Sequence, residues 1–303
     1  MKKLFSCIFP AFLLASCTAS LEEGLPQETG GIVVSARCLE TRSTLASDLS
    51  VLWSKEDRIT VLSLDGSVSA VSEQGGADSP TCDFTVNAWS KDVEPRYAVF
   101  NGSSDEVSAS IDGRYICAAV PTLQKISDVS SFGRDANLSI GELNKISEGK
   151  WQTQMKNVCA LVAFSLNRFD NVKTVSVYNR SGGSALSGSF NIFMEDGVPV
   201  IKEVVDGTVY ASVTMADGES LFRNDTRYYI CVRPDIDFNP EFMFYLDDGS
   251  RYKYRVDETV RIRRSTVMDF GTVDTDAVVA TMDPIVSHEN FTEGGSVQLT
   301  NIY

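Results

Sequence analysis

The chain has a single histidine, His288, among 303 residues, and it contains no CxxC pair, no HExxH run and no glycine-rich phosphate loop. Serine–histidine and cysteine–histidine arrangements could therefore use only His288, which stands in a tail where a surface loop accounts for it. The missing motifs remove the common zinc, redox and nucleotide chemistries. The 41 acidic residues could supply paired carboxylates, but nothing singles out a pair. No catalytic residue, cofactor or metal ligand is assigned, and the chain is not read as an enzyme. Basic residues are scarce too: 27 against 41 acidic, a net charge of −14. Such a surface repels phosphate backbones, so nucleic acid is excluded as a partner.

A long apolar run is also lacking. The stretch from Leu4 to Leu14 falls short of the roughly twenty residues a spanning helix needs, and it follows Met1-Lys2-Lys3. A charged start, a short apolar run and small residues at Ala15 and Ser16 make a secretory signal, removed from the mature protein. Leu14-Ala15-Ser16-Cys17 resembles the bacterial lipobox, in which the cysteine is acylated before cleavage ahead of it. Residues 1–16 are expected to be signal peptide, Cys17 the lipidated amino terminus and residues 17–30 a flexible tether. Acyl chains contribute about 0.8 kcal/mol per buried methylene, enough to hold the chain on a membrane. Thr18 favours the outer membrane, and Glu22-Glu23 is similar to an acidic surface-export tag. Loss of Lys2 and Lys3 lowers the mature net charge to −16.

No window carries a sustained helical period. Apolar runs with period two, or short buried runs, occur instead at 31–36, 58–64, 82–86, 96–100, 115–120, 158–166, 172–178, 189–193, 208–213, 228–232, 242–246 and 252–256. Asp-Gly pairs at 65–66, 112–113, 196–197, 206–207, 217–218 and 248–249 are read as turns. They lack the regular oxygen spacing of a calcium loop. The pattern predicts an all-β protein of two tandem sandwiches. The polar stretch Ser147–Gln154 is taken as the join, giving domains at 31–154 and 155–275, with an extension at 276–303. Cys38, Cys82, Cys117, Cys159 and Cys231 are odd in number and widely spaced; three lie in apolar runs. They are read as small core hydrophobes and not as a disulfide framework.

Glu40-Thr41-Arg42, then Trp53-Ser-Lys-Glu-Asp57-Arg58-Ile59-Thr-Val61, resembles the fimbrillin family, the type V pilins and related surface lipoproteins of anaerobic Gram-negative bacteria. The likeness continues in Arg114-Tyr-Ile-Cys-Ala-Ala-Val-Pro121, in Ala185-Leu-Ser-Gly188 and in Tyr228-Tyr-Ile-Cys-Val-Arg-Pro234, so it spans about 31–275. It implies transthyretin-like, Greek-key sandwiches and a role in a fimbria at the cell surface.

The resemblance further implies assembly by strand exchange. An arginine-specific protease removes the first strand, here Ile32 to Ala36, and a carboxy-terminal segment of another subunit fills the groove. Arg37 and Arg42 are the candidate scissile residues, with solvated charge after an edge strand as their plainer reading. The donor candidates are Val297, Leu299 and Asn301, on one face of a tail that is only partly apolar. Trp53 is expected to fill the amino-terminal core, with ligand stacking the lesser alternative. Partners would be other pilus subunits, the membrane through Cys17, and a host protein or glycan. A non-polymerising outer-membrane lipoprotein that binds glycan or host protein is the other reading.

Overall fold

A computed structural model describes residues 29–38, 44–45, 51–76, 79–102, 106–127, 132–181 and 183–280. Cys17, Arg42, His288, Val297, Leu299 and Asn301 lie outside the described residues. In chain order the strands are β1 (Thr29–Cys38), β2 (Thr44–Leu45), β3 (Val51–Leu52), β4 (Thr60–Ser63), β5 (Ser69–Val71), β6 (Thr81–Ser90), β7 (Pro95–Asn101), β8 (Ser110–Asp112), β9 (Tyr115–Val120), β10 (Leu123–Ile126), β11 (Leu138–Glu142), β12 (Asn144–Ser147) and β13 (Lys150–Asn157). They continue with β14 (Ala160–Asn167), β15 (Val172–Asn179), β16 (Ser187–Glu195), β17 (Val198–Thr208), β18 (Tyr210–Met215), β19 (Arg227–Val232), β20 (Ile236–Phe238), β21 (Pro240–Leu246), β22 (Arg251–Arg255), β23 (Val260–Ile262), β24 (Val267–Asp274) and β25 (Val279–Ala280). Helix among the described residues is confined to two single 3₁₀ turns, Arg134–Ala136 and Thr275–Ala277. The protein is all-β, as the period-two runs require.

Four larger sheets carry the fold. An eight-stranded sheet runs β5-β4-β7-β11-β13-β1-β6 with β12 beside β13. A four-stranded sheet runs β17-β16-β9-β8, a three-stranded one β19-β14-β24, and a six-stranded one β10-β18-β15-β21-β22-β25. Three apolar cores lie among them. The first gathers Ile32, Val34 and Ala36 of β1 with Trp53, Val61, Phe84, Phe100 and Met155. The second joins Leu62 and Val99 to Ile116, Phe190, Cys159 and Tyr229. The third holds Phe164, Val175, Val213, Ile230, Phe242 and Phe244.

Several strands serve two cores at once. Val61 faces the first core and Leu62 the second; Phe164 faces the third and Ala163 the second. Because successive side chains on a strand point to opposite faces, such strands need no polar face. This explains why Thr60–Ser63 is buried at every position, and why the run Val158–Phe164 reads as continuously apolar.

Two local readings are corrected. The polar stretch Ser147–Gln154 is no linker: Lys150–Asn157 is strand β13, with Trp151, Thr153 and Met155 turned inward and lysine, glutamines and asparagine largely outward. Residue 154, where the sequence reading divides the chain, thus lies inside β13. Sheet pairings also cross that point, β9 with β16 and β10 with β18. The second correction is Asp206-Gly207, which is not a turn but part of β17, paired with Ser189 and Gly188 beside a register shift. Gly207 is needed there for closeness: a Cβ would stand 2.6 Å from both Ala185 and Val204. The other five Asp-Gly pairs do place glycine at positive φ between strands.

Candidate functional site

The first described strand, β1, is the penultimate strand of its sheet, held between β13 and the edge strand β6. On one side it runs antiparallel to β6, with Val34 opposite Phe84 and Ala36 opposite Cys82. On the other it runs parallel to β13, with Val34 opposite Trp151 and Ala36 opposite Thr153. Ile32, Val34, Ala36 and Cys38 are buried, and Val34 and Ala36 fully so. The strand starts at Thr29, so the last two residues of the predicted tether, Thr29 and Gly30, already pair with Ser90 and Trp89.

Trp53 fixes β1 from within the core. Its ring is 1% exposed and packs edge-on against Phe84 and Phe100, at centroid separations of 4.9 and 5.2 Å. Its indole N–H donates to the Ala36 carbonyl of β1 at 3.1 Å. A buried indole needs an acceptor, and here the acceptor belongs to the strand being held. Ligand stacking is closed to a side chain so enclosed. Cys82, opposite Ala36, has its thiol pushed up by burial, so it stays protonated and packs as a small hydrophobe.

Arg37 lies within β1 and not after it. It is exposed, paired across the ladder with Thr81 and Gln154, and its side chain borders a shallow polar groove with Ser35, Gln152 and Lys156. The next residue, Cys38, donates its backbone N–H to the Pro80 carbonyl at 3.0 Å. The apolar run ends at Ala36, whereas backbone pairing carries on for two more residues. The peptide bond after Arg37 is therefore reached only when the end of β1 opens.

A polar cluster that sequence reasoning missed braces the Trp53 segment. Asp57 is fully buried; it accepts the Ser54 N–H at 2.7 Å and a guanidinium N–H of Arg134 at 2.6 Å. Arg134 also donates to Glu56 at 2.9 Å and to the Ser54 hydroxyl at 3.0 Å. The guanidinium is held above its ordinary value: desolvation, the largest influence, acts downward, but the bonds and charges of Asp57 and Glu56 together outweigh it. A buried carboxylate with a paired arginine is stable only while the pair is intact. An aspartate set four residues after Trp53 and directly before an apolar strand is the sequence signal; its arginine, 77 positions away, has none.

No family model and no curated protein matches the sequence. Solved structures do match. The chain is similar to two putative cell adhesion proteins, from Bacteroides ovatus (13% identity, 84% of this chain and 96% of that one, TM-score 0.48) and from Bacteroides uniformis (12%, 83% and 96%, 0.45). It is also similar to a C-terminally truncated tip fimbrial protein from Porphyromonas gingivalis (10%, 84% and 99%, 0.36).

Elsewhere the candidate chemistry stays bland. No group of three or more histidine, cysteine or acidic residues suited to a metal occurs among the described residues. No disulfide joins the five described cysteines. Burial pushes the Cys159 thiol up to about 12 and raises that of Cys231 as well, which keeps both inert.

Proposed function

We propose that this chain is a structural and adhesive component of a surface fimbria, exported as an outer-membrane lipoprotein through Cys17 and assembled by protease-triggered strand exchange. The observation that carries this reading is the position of β1: the first described strand is lodged between β6 and β13, with its apolar side chains forming one wall of the first core. Removing an edge strand from a sheet costs one ladder; removing this one opens two. The emptied slot would expose unpaired backbone groups along both neighbours. Burial of Ile32 and Val34 alone contributes roughly 3–6 kcal/mol, so an empty slot favours any extended segment with a matching apolar face.

In this reading cleavage falls after Arg37 or Arg42, and the incoming strand comes from the tail of another subunit, with Val297, Leu299 and Asn301 on its inward face. The acceptor is the eight-stranded sheet, in which β6 and β13 line the slot that β1 fills. No step requires a reactive side chain, so the protein works without catalysis or cofactor.

The test is treatment of the purified precursor with an arginine-specific protease. Cleavage after Arg37 or Arg42, followed by oligomer ladders that resist mild denaturant, is the expected result. A trimmed product that stays monomeric at high concentration overturns the strand-exchange reading.

A further inference from the structure

The outer face of the six-stranded sheet carries a feature the strand-exchange reading does not use. On β15, β18 and β21 the residues pointing away from the third core include Tyr178, Tyr210 and Tyr245, each half-buried and none of them part of that core. Tyr178 and Tyr210 sit opposite each other in register, and their rings stack at 5.2 Å. The hydroxyls of Tyr178 and Tyr245 meet at 3.1 Å. Between the strands that carry them, Ser176 and Ser212 are buried and share a hydrogen bond of 2.6 Å. Tyr178 and Tyr210 thus form a stacked pair that Tyr245 joins through its hydroxyl, and the three side chains together make one amphipathic patch.

Along one side of this platform runs β22, whose alternate residues Arg251, Lys253 and Arg255 face outward while Tyr252 and Tyr254 pack inward. Glu241, in register with Arg255, pairs with both Arg255 and Lys253. That leaves Arg251, which lies 5.6 Å from the centre of the Tyr245 ring and has no carboxylate partner among the described residues. A positive strip is unexpected on a chain of net charge −14. Here it adjoins the tyrosines.

We infer that the Tyr178–Tyr210–Tyr245 platform with Arg251 is a binding site for a glycan bearing carboxylated sugars. The C–H groups of a pyranose pack against the outward edges and remaining faces of these rings, which offer rigid amphipathic area at little entropic cost. The sugar carboxylate takes the two-pronged guanidinium of Arg251, a geometry lysine cannot supply. Other anionic partners fit less well. An anionic membrane calls for clusters of four to eight basic residues, and two of the three here are already engaged with Glu241. An acidic peptide adding as a strand needs an open sheet edge, whereas β18, β15 and β21 are paired on both sides and β25 covers β22 at Tyr252 and Lys253. This inference is independent of strand exchange and concerns the uncleaved full chain.

Titration calorimetry of the full chain at low salt with tetragalacturonate and with sialyllactose tests it; maltotetraose, lactose and phosphatidylserine vesicles serve as comparisons. Binding of at least one acidic sugar is expected, with neutral sugars and vesicles silent at the same concentration. Arg251→Gln should weaken that binding at least tenfold, and Arg251→Lys should restore only part of it. Tyr245→Ala should weaken it to a similar degree, and Tyr210→Ser serves in its place if that variant does not fold. Silence toward both acidic sugars, equal binding of neutral ones, vesicle binding alone, or acidic-sugar binding untouched by the Arg251 changes would each overturn the inference.

Discussion

Substitution of Trp53 separates the two ways in which this side chain holds β1. Burying a tryptophan removes about 200 Å² from water, worth roughly 5 kcal/mol at 25 cal/mol per Å². Phenylalanine keeps most of that area but cannot donate to the Ala36 carbonyl 3.1 Å away. Trp53→Phe should thus cost about 2 kcal/mol, half from lost area and half from the bond, and Trp53→Ala about 4 kcal/mol with its cavity. Urea unfolding monitored by circular dichroism reads the totals, with the slope unchanged between variants. Since the lost bond belongs to β1, the loss should also appear as strand opening, and cleavage after Arg37 by an arginine-specific protease should quicken by up to about 30-fold in Trp53→Phe. If urea midpoints fall as expected while cleavage at Arg37 keeps its wild-type rate, Trp53 supports the core without gripping the strand. If neither moves, the burial argument itself is wrong.

Three further outcomes follow from the same geometry. Arg134→Ala leaves Asp57 buried with a single remaining donor and should cost about 3 kcal/mol, whereas the double variant Asp57→Ala/Arg134→Ala should cost less than the sum of its parts by 1 kcal/mol or more in a double-mutant cycle. Asp274, hydrogen-bonded first by Arg168 and then by the Asp276 backbone N–H, has its carboxyl held down to about 2 against an ordinary 3.8; its contribution is fully present above about pH 4 and is lost as pH falls through about 2, and Arg168→Met should move the carboxyl upward in an NMR titration. Iodoacetamide at pH 8 should leave Cys159 and Cys231 unmodified in the native protein and label both in denaturant, as read by mass spectrometry.

Much of the fold was legible because most strands bury one or both faces and announce it. Tyr115–Val120 alternates between buried and half-buried positions, and the stretch Val172–Tyr178 pairs as read, along β15. Lys150–Asn157 was not legible as a strand, since its outward residues are lysine and glutamines and one of its inward residues is a threonine, leaving Trp151 and Met155 as the only apolar marks. Its parallel pairing with β1, more than a hundred residues away, rests on contacts that no local pattern encodes. Asp206-Gly207 carries turn chemistry, yet its neighbours Gly188 and Ser189 hold it in a ladder, a case of tertiary pairing overriding a local signal.

The candidate site was legible in outline. The apolar alternation of Ile32, Val34 and Ala36 marks β1, and Trp53 marks the core beneath it. What could not be read was Arg37 lying inside the ladder, because pairing of the last two residues depends on Pro80 and Thr81 and on Gln154 and Met155 from distant strands. The tyrosine platform was hidden for a related reason: Tyr178, Tyr210 and Tyr245 come from three separate strands and share a face only after the sheet forms.

The most direct measurement concerns the slot itself. A synthetic peptide with the sequence Thr29–Cys38, isotopically labelled, is offered to protein trimmed at Arg37 or Arg42, and its amide exchange is followed by NMR. Stoichiometric binding, slow exchange along the peptide backbone on both edges, and suppression of oligomer ladders by the occupied slot are expected. Trimmed protein that neither takes up the peptide nor assembles, while keeping its fold, would contradict strand exchange.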